Sequence, residues 1–201
     1  MKVEIRDNAV IVDGYVNAVE RDSKVLRENS AVFIEKIKAG AFRRALERAE
    51  RTGQEIKVLL NHDYGRKLSS SKEPQTVIKE DAIGLRCRCE IRDAEVIRKA
   101  KEKKLSGWSF GFTAIKDDWT GDGEIRHRDV MELELREVSV LDDRKIPAYD
   151  GTSIETRGYE DGAVEIRVSG QEAETEDNST AAGAEDNYIW ENRYLATRAG
   201  I

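Results

Sequence analysis

The sequence has few of the side chains that cross-link proteins or bind metals: it contains two cysteines and two histidines in 201 residues. Cys87 and Cys89 are two positions apart, so on a strand they share one face and cannot join distant segments. A single C-x-C pair also lacks the second pair of ligands typical of a zinc site. We therefore expect two half-buried thiols, as in a reducing cytoplasm, and neither a disulfide framework nor a metal site.

Long apolar runs are also missing. No stretch approaches the roughly 20 apolar residues that a membrane-spanning helix needs. The start of the chain, MKVEIRDNAV, interrupts its apolar residues with charges and does not resemble a signal peptide. The sequence therefore predicts an intracellular protein without a membrane partner.

The main part of the chain has no basic surplus. Residues 151–201 carry 11 acidic and 4 basic side chains, whereas residues 1–150 carry 29 acidic and 30 basic ones. Binding to a phosphate backbone is driven by a broad excess of lysine and arginine. We therefore do not expect nucleic acid as a partner.

Strand patterns dominate the first 150 residues. Helical periodicity is confined to two segments, residues 41–53 and 93–105, and residues 64–75 have the composition of a mobile loop. The remaining segments are rich in β-branched residues or alternate apolar with polar residues, and the predicted strand segments are 3–19, 31–37, 55–63, 76–91, 108–115 and 126–141. This order predicts an α+β fold with a mostly antiparallel, barrel-like core and two or three helices.

The composition changes towards the C-terminus. Residues 170–187 contain six acids and no apolar side chain larger than alanine, a composition that cannot offset its own ordering entropy. Residues 188–201 regain aromatic side chains, which would suit a short terminal helix or a docking peptide. We expect a domain over residues 1–157 and a largely disordered acidic tail over residues 158–201.

One serine has the setting of a nucleophile. Gly107–Gly111 matches G-x-S-x-G, but the α/β-hydrolase elbow needs a strand before its serine and a helix after it, and here the order is reversed. What remains is Ser109 on a strand between two glycines, with no bulky neighbour to block access. The bare pattern fits a nucleophile, but a half-buried strand serine beside a bulge is the commoner reason for such a pattern.

His62 is the candidate general base for such a serine. It ends an apolar strand beside the predicted loop, and imidazole can accept and return a proton near neutral pH. The alternative is a histidine bonded only to turn backbone.

A third residue should orient the imidazole, and the candidates on the strand after Ser109 are His127, Glu132, Glu134 and Glu137. Each glutamate could equally belong to a solvated strand face.

Six further segments matter for their order along the chain. They span roughly residues 10–157 and read AGAFRRAL, VLLNHD, AIGL, SGWSFGF, ELREVSVL and IPAYDGTSIETR. In this order they resemble the caudoviral prohead protease family, which is related in fold to the herpesvirus assemblin. The resemblance implies a serine protease in which His62 of NHD and Ser109 of SFGF match the family's histidine and serine. It favours Glu137 as the third member, with His127 as the alternative because herpesvirus enzymes use a second histidine. By analogy with arginines of those enzymes, Arg144 would support the oxyanion-binding backbone.

The resemblance also implies a function. The enzyme would cut scaffold and capsid-precursor segments, and itself, inside assembling proheads in the bacterial cytoplasm. It would need no metal and no other cofactor, its partners would be the major capsid protein and scaffold segments, and homo-oligomerisation is left open. Two alternatives stand beside this hypothesis: a catalytically degenerate capsid-assembly or scaffolding module, and a different hydrolase such as an esterase.

Overall fold

A computed structural model describes residues 1–28, 31–145, 156–159, 162–168 and 174–178. The helices of this part of the chain are α1 (Ala41–Thr52) and α2 (Ala94–Lys101), with a single 3-10 turn at Asp143–Lys145. Its strands, in chain order, are β1 (Lys2–Arg6), β2 (Ala9–Ala18), β3 (Leu26–Glu28), β4 (Ala31–Ile37), β5 (Lys57–Leu60), β6 (Asp63–Ser70), β7 (Thr76–Glu80), β8 (Gly84–Ile91), β9 (Leu105–Thr120), β10 (Arg126–Asp142), β11 (Thr156–Tyr159), β12 (Gly162–Val168) and β13 (Glu174–Asp177).

The strands form two sheets. One sheet has the order β13-β1-β2-β8-β7, and the other has the order β11-β12-β9-β10-β4-β3. In the second sheet β4 pairs with the first part of β10, β5 pairs with its last part, and β6 pairs with β5. The predicted α+β class with two helices is confirmed. The barrel-like closure is wrong for the described residues, because both sheets end in edge strands that have no partner there.

Both predicted helices are confirmed, although α2 ends at Lys101, four residues before its predicted end, because Leu105 already begins β9. The amide of Gly53, which has the left-handed φ of 71°, caps α1 by donating to the carbonyls of Ala49 and Glu50. Asp93 begins α2, since its side chain accepts a hydrogen bond from the amide of Val96. Neither helix has the length and apolar content needed to span a bilayer, within the described part of the chain.

The long hairpin of β9 and β10 carries the centre of the core. Trp108, Phe110 and Phe112 alternate along β9 and are fully buried. The ring of Phe110 meets that of Phe42 on α1 edge-on, with 5.3 Å between centroids. Because strand side chains alternate, Ser109 and Gly111 lie on the opposite face of β9. The core therefore fixes which face carries the predicted nucleophile.

The loop predicted over residues 64–75 is largely a strand. Residues 64–70 belong to β6, which pairs with β5, and the turn begins only after Ser70. The prediction failed because β6 is an edge strand whose first half faces solvent, so its polar residues resemble a loop in the sequence.

Part of the predicted tail joins the sheets. β12 lies beyond the predicted boundary at residue 157 and pairs with β9. In the acidic segment β13 pairs in parallel with β1, supported by an ion pair of 3.1 Å between Lys2 and Glu176. The predicted terminal helix within residues 188–201 lies outside the described residues, and the domain boundary stays a prediction.

We predict that Gly84→Ala lowers the free energy of unfolding by about 3 kcal/mol, because overpacking a closely packed site strains it. A Cβ at this position would lie 2.1 Å from the carbonyl oxygen of Asn17 on β2. Gly123→Ala is the control, since a Cβ there meets nothing within 4 Å. Urea denaturation measures both variants, and equal stabilities would contradict the prediction.

Candidate active site

The register of β9 and β10 brings four residues of the site to one face. Ser109 lies directly opposite Ser139, and Gly111 lies directly opposite Glu137. Directly opposed residues of an antiparallel pair share a face, with Cβ atoms about 5 Å apart. The predicted nucleophile and the favoured third member therefore project from the same side of the hairpin.

His62 reaches this face from the turn between β5 and β6. Leu60 pairs with Asp63, so Asn61 and His62 form a two-residue hairpin turn. Both have positive φ, 54° and 62°, as a type I′ turn requires. Asparagine and histidine are both enriched among the few non-glycine residues that adopt this region. The side chain of His62 is buried, with 4% of the residue exposed.

Glu137 binds the imidazole directly. Its Oε1 lies 2.8 Å from His62 Nδ1, and both side chains are buried. Its Oε2 accepts a hydrogen bond of 2.5 Å from the hydroxyl of Ser139, which in turn accepts one of 3.1 Å from the His62 amide. A proton on Nδ1 donated to Glu137 leaves the lone pair on Nε2. Nε2 is buried and has no hydrogen-bond partner among the described residues, so it is available to accept a proton.

Gly111 makes room for the carboxylate of Glu137. A Cβ on Gly111 would lie 2.7 Å from Glu137 Oε1, closer than Cβ atoms approach non-bonded atoms in proteins. The same Cβ would lie 3.1 Å from a methyl group of Val164 on β12. The glycine after the serine therefore has a steric purpose that its sequence motif did not reveal.

Asp142 fixes the turn that carries His62. Asn61 Nδ2 donates to Asp142 Oδ1 at 2.8 Å, and the Asp142 amide donates to Asn61 Oδ1 at 3.1 Å. Lys99 and Arg144 lie 3.0 and 2.7 Å from Asp142 Oδ2. Burial raises the pKa of Asp142, but hydrogen bonds from Arg144, Asn61 and Lys99 outweigh it and hold the pKa well below its ordinary value. The carboxylate is therefore charged and held in place.

Ser109 is buried and already engaged. Its hydroxyl donates a hydrogen bond of 2.6 Å to the main-chain carbonyl of Arg167 on β12, and no part of the residue is exposed. Val168 of β12 lies directly opposite Ser109 in the ladder. In this conformation the hydroxyl therefore points to β12 instead of to His62.

The other predicted candidates lie elsewhere. His127 is exposed near the start of β10, ten positions and about 33 Å along the strand from Glu137. Glu132 lies 3.7 Å from Arg48 of α1, and Glu134 accepts a hydrogen bond from Gln54, just beyond the end of α1. No group of three or more potential metal ligands occurs within the described residues. Among the candidates for the third member, the structure brings Glu137 alone to His62.

Arg144 contacts Asp142 and Glu95, not the surroundings of Ser109. Its guanidinium is half exposed and adds to the support of the Asn61–His62 turn through Asp142. Sequence reasoning missed this role of Asp142. The available signal was an acid at the end of an apolar strand, two residues before an arginine, and it did not identify Asn61 as the partner.

A family model for the caudovirus prohead serine protease matches residues 1–164. The chain therefore belongs to this family of serine proteases, whose members mature phage capsids. The family acts on capsid precursor proteins within assembling capsids. No curated protein and no solved structure matches the chain, so the relation to the herpesvirus assemblin fold stays a prediction.

We predict that Gly111→Ala lowers kcat of peptide hydrolysis by about a hundredfold, because its Cβ displaces the carboxylate that orients His62. Cleavage of a capsid-precursor protein, followed by gel densitometry, gives the rate. Gly123→Ala, on an open turn, should retain the full rate. A Gly111→Ala enzyme as active as the control would contradict the steric argument.

A second prediction concerns pH. At pH 7, Asp142→Asn should lower the free energy of unfolding by about 3 kcal/mol, because it removes the buried carboxylate that pairs with Lys99 and Arg144 and leaves Lys99 with Asp143 alone. The folded-state pKa of Asp142 is lowered, so the carboxylate stabilises the protein fully above its unfolded pKa of about 3.9. That contribution disappears as the pH falls from there through the folded-state pKa.

The difference in stability between wild type and Asp142→Asn should therefore narrow as the pH falls from 5 to 2. Denaturant titrations at several pH values measure it. Asp118→Asn, at an exposed position of β9, should follow the wild type throughout. A constant difference across this pH range would show that the charge of Asp142 is not responsible.

Proposed function

We propose that the protein is a prohead-maturation serine endopeptidase in which Ser109 is the nucleophile, His62 the general base and Glu137 the residue that orients the base. The hydrogen bond between Glu137 Oε1 and His62 Nδ1 carries this proposal. It lies on the face of the β9–β10 hairpin that also bears Ser109, and it directs the unpartnered Nε2 away from the carboxylate.

The proposed reaction begins when the Ser109 hydroxyl turns from the Arg167 carbonyl to His62 Nε2. Nε2 accepts the proton while Oγ attacks the carbonyl carbon of the substrate, and backbone N–H groups stabilise the resulting oxyanion. His62 then returns the proton to the leaving amine, which breaks the peptide bond and leaves an acyl-enzyme. Water activated by the same imidazole hydrolyses the ester.

Glu137 is proposed to stabilise the imidazolium that forms in each half of the reaction. A buried carboxylate does this well because the low local dielectric strengthens its attraction to a nearby positive charge. Ser139 keeps the carboxylate in place, since its hydroxyl bonds Glu137 and accepts from the His62 amide. The substrates proposed from the family are scaffold and capsid-precursor segments, together with the enzyme's own chain.

Ser109→Ala tests the proposal. We predict that cleavage of co-expressed capsid precursor and of the enzyme's own chain falls by a factor of about 10⁴ or more, as for other serine enzymes that lose their nucleophile. Mass spectrometry of the assembled particles measures both cleavages. Ser106→Ala, three positions earlier on β9, should process its substrates normally.

The outcomes separate the competing functions. Normal processing by Ser109→Ala would refute the serine-protease proposal. Assembly without any processing by the wild type, and no labelling of Ser109 by a fluorophosphonate, would favour the degenerate assembly module. Labelling of Ser109 with turnover of esters but not of peptides would favour an esterase.

A further inference from the structure

We propose that β12 occupies the place of a substrate: the enzyme cuts its own chain between Arg167 and Val168, and Glu35 selects the arginine before the cut bond. This inference rests on the proposed function, because it requires Ser109 to be the nucleophile. It adds the position of the cut and the class of side chain that is recognised.

The first support is the distance between the nucleophile and one peptide bond. Ser109 Oγ lies 2.6 Å from the carbonyl oxygen of Arg167. A carbonyl bond is about 1.2 Å long, so the carbonyl carbon lies within about 3.8 Å of Oγ. Productive attack starts from about 3–3.5 Å. A small rotation of the serine side chain therefore separates this arrangement from attack on the Arg167 carbonyl.

The second support is the way in which β12 is held. It pairs antiparallel to β9 over four residues, from Glu165 opposite Phe112 to Val168 opposite Ser109. Extended peptides commonly bind by adding a strand to a sheet in this manner, so that main-chain hydrogen bonds hold the peptide and alternate side chains enter pockets. The last described pair of this ladder, Val168 with Ser109, lies at the nucleophile.

The third support is a buried acidic pocket for the Arg167 side chain. Its Nε and Nη2 each lie 2.7 Å from one carboxylate oxygen of Glu35 on β4, a bidentate pair. The guanidinium lies 5.2 Å from the centre of the Phe112 ring. Both Glu35 and Arg167 are more than nine-tenths buried. A planar fork of donors suits this pocket better than the ammonium group of lysine.

A second contact would recognise an acid two residues before the arginine. Glu165 accepts hydrogen bonds from both terminal nitrogens of Arg128, one of them 2.9 Å long. Arg128 itself is held by Glu35 at 3.0 Å and by Asp117 at 2.7 Å. The recognised motif is therefore an acid, any residue, and an arginine, followed by the cut.

The chemistry of the step balances with water alone. Oγ forms an ester with the Arg167 carbonyl carbon, the Arg167–Val168 C–N bond breaks, and the Val168 nitrogen receives the proton that His62 took from Oγ. Water then hydrolyses the ester. The products are a chain that ends in the carboxylate of Arg167 and a peptide that begins with the free amine of Val168.

Incubation of the purified full-length protein tests the position of the cut. Intact-mass spectrometry and N-terminal sequencing should show a new terminus at Val168 in the wild type and none in Ser109→Ala. The tripeptide Glu-Ile-Arg also occurs at residues 4–6, 90–92 and 124–126, which serve as internal comparisons within the same molecule.

Two results would overturn the inference in distinguishable ways. If Ser109-dependent cuts occur at other bonds while Arg167–Val168 stays intact, the inference fails and the proposed protease function stands. If the wild type cuts no peptide bond and Ser109 is not labelled by a fluorophosphonate, the proposed function fails and the inference with it.

A double-mutant cycle tests the role of Glu35. Glu35→Gln and Arg167→Gln should each slow the cut about ten- to a hundredfold, because each removes one partner of a charged, bidentate hydrogen bond. The double variant should be little slower than either single one, since the two residues act through the same contact. Multiplicative losses would show that Glu35 does not select the arginine.

Two further variants separate recognition from folding. Arg167→Lys keeps the charge and should cut faster than Arg167→Gln. Asp118→Asn changes an exposed acid of β9 outside this ionic cluster, and should cut at close to the wild-type rate. Thermal melting shows which variants are folded, and a folded Glu35→Gln that cuts at the wild-type rate would overturn the assignment.

Discussion

The short segment Glu137–Val140 of β10 is the frame on which the candidate site depends. On one side it pairs in parallel with β5, so that Val140 lies beside Leu60 and the following turn delivers His62. On the other side it pairs antiparallel with β9, which sets Ser139 opposite Ser109. A slip of one residue in either ladder would turn its side chains to the opposite face. The aromatic residues of β9 oppose such a slip, because it would expel them from the core.

The same frame explains why sequence reasoning located Ser109 and His62 as candidates but left their third partner open. Period-2 alternation along β10 groups Glu132 and Glu134 with Arg136 and assigns Glu137 to the apolar face. The ladder contains a register shift between Leu135 and Glu137 that reverses this assignment. The sequence pattern placed Glu132, Glu134 and Glu137 at polar positions with a register shift around Arg136. Which of these acids meets His62 depends on strand pairing, and local sequence does not encode that pairing.

Much of the fold could be predicted because its signals are local. The two helices, their capping residues Gly53 and Asp93, and the hairpin between β1 and β2 all follow from periodicity and turn chemistry within a short window. The elements that were missed, β6 and the pairing of β12 and β13, are polar segments whose structure comes from a partner far along the chain. For such strands tertiary contacts outweigh intrinsic propensity.

The site is buried, and this restricts how a substrate can reach it. Ser109, His62 and Glu137 are all nearly inaccessible to solvent, and the hydroxyl of Ser109 is covered by the main chain of β12. Since β9 pairs with β10 along its other side, a strand that pairs with this part of β9 takes the place of β12. β12 therefore both covers the nucleophile and occupies the position at which a substrate strand would bind.

The charges of this edge allow one strand to replace another. β12 contributes one buried acid and one buried base, Glu165 and Arg167, so its departure leaves the net charge of the remaining body unchanged. After departure Arg128 keeps both Glu35 and Asp117 as partners and is not left as an unpaired buried cation. The carboxylate of Glu35 would still lack the bidentate partner that Arg167 provides. A strand that brings an acid and an arginine at the same spacing supplies partners to both Arg128 and Glu35, whereas one that brings two acids places a second carboxylate beside Glu35. Selectivity for the bound strand therefore follows more from the cost of burying an unpaired charge than from the attraction within any single ion pair.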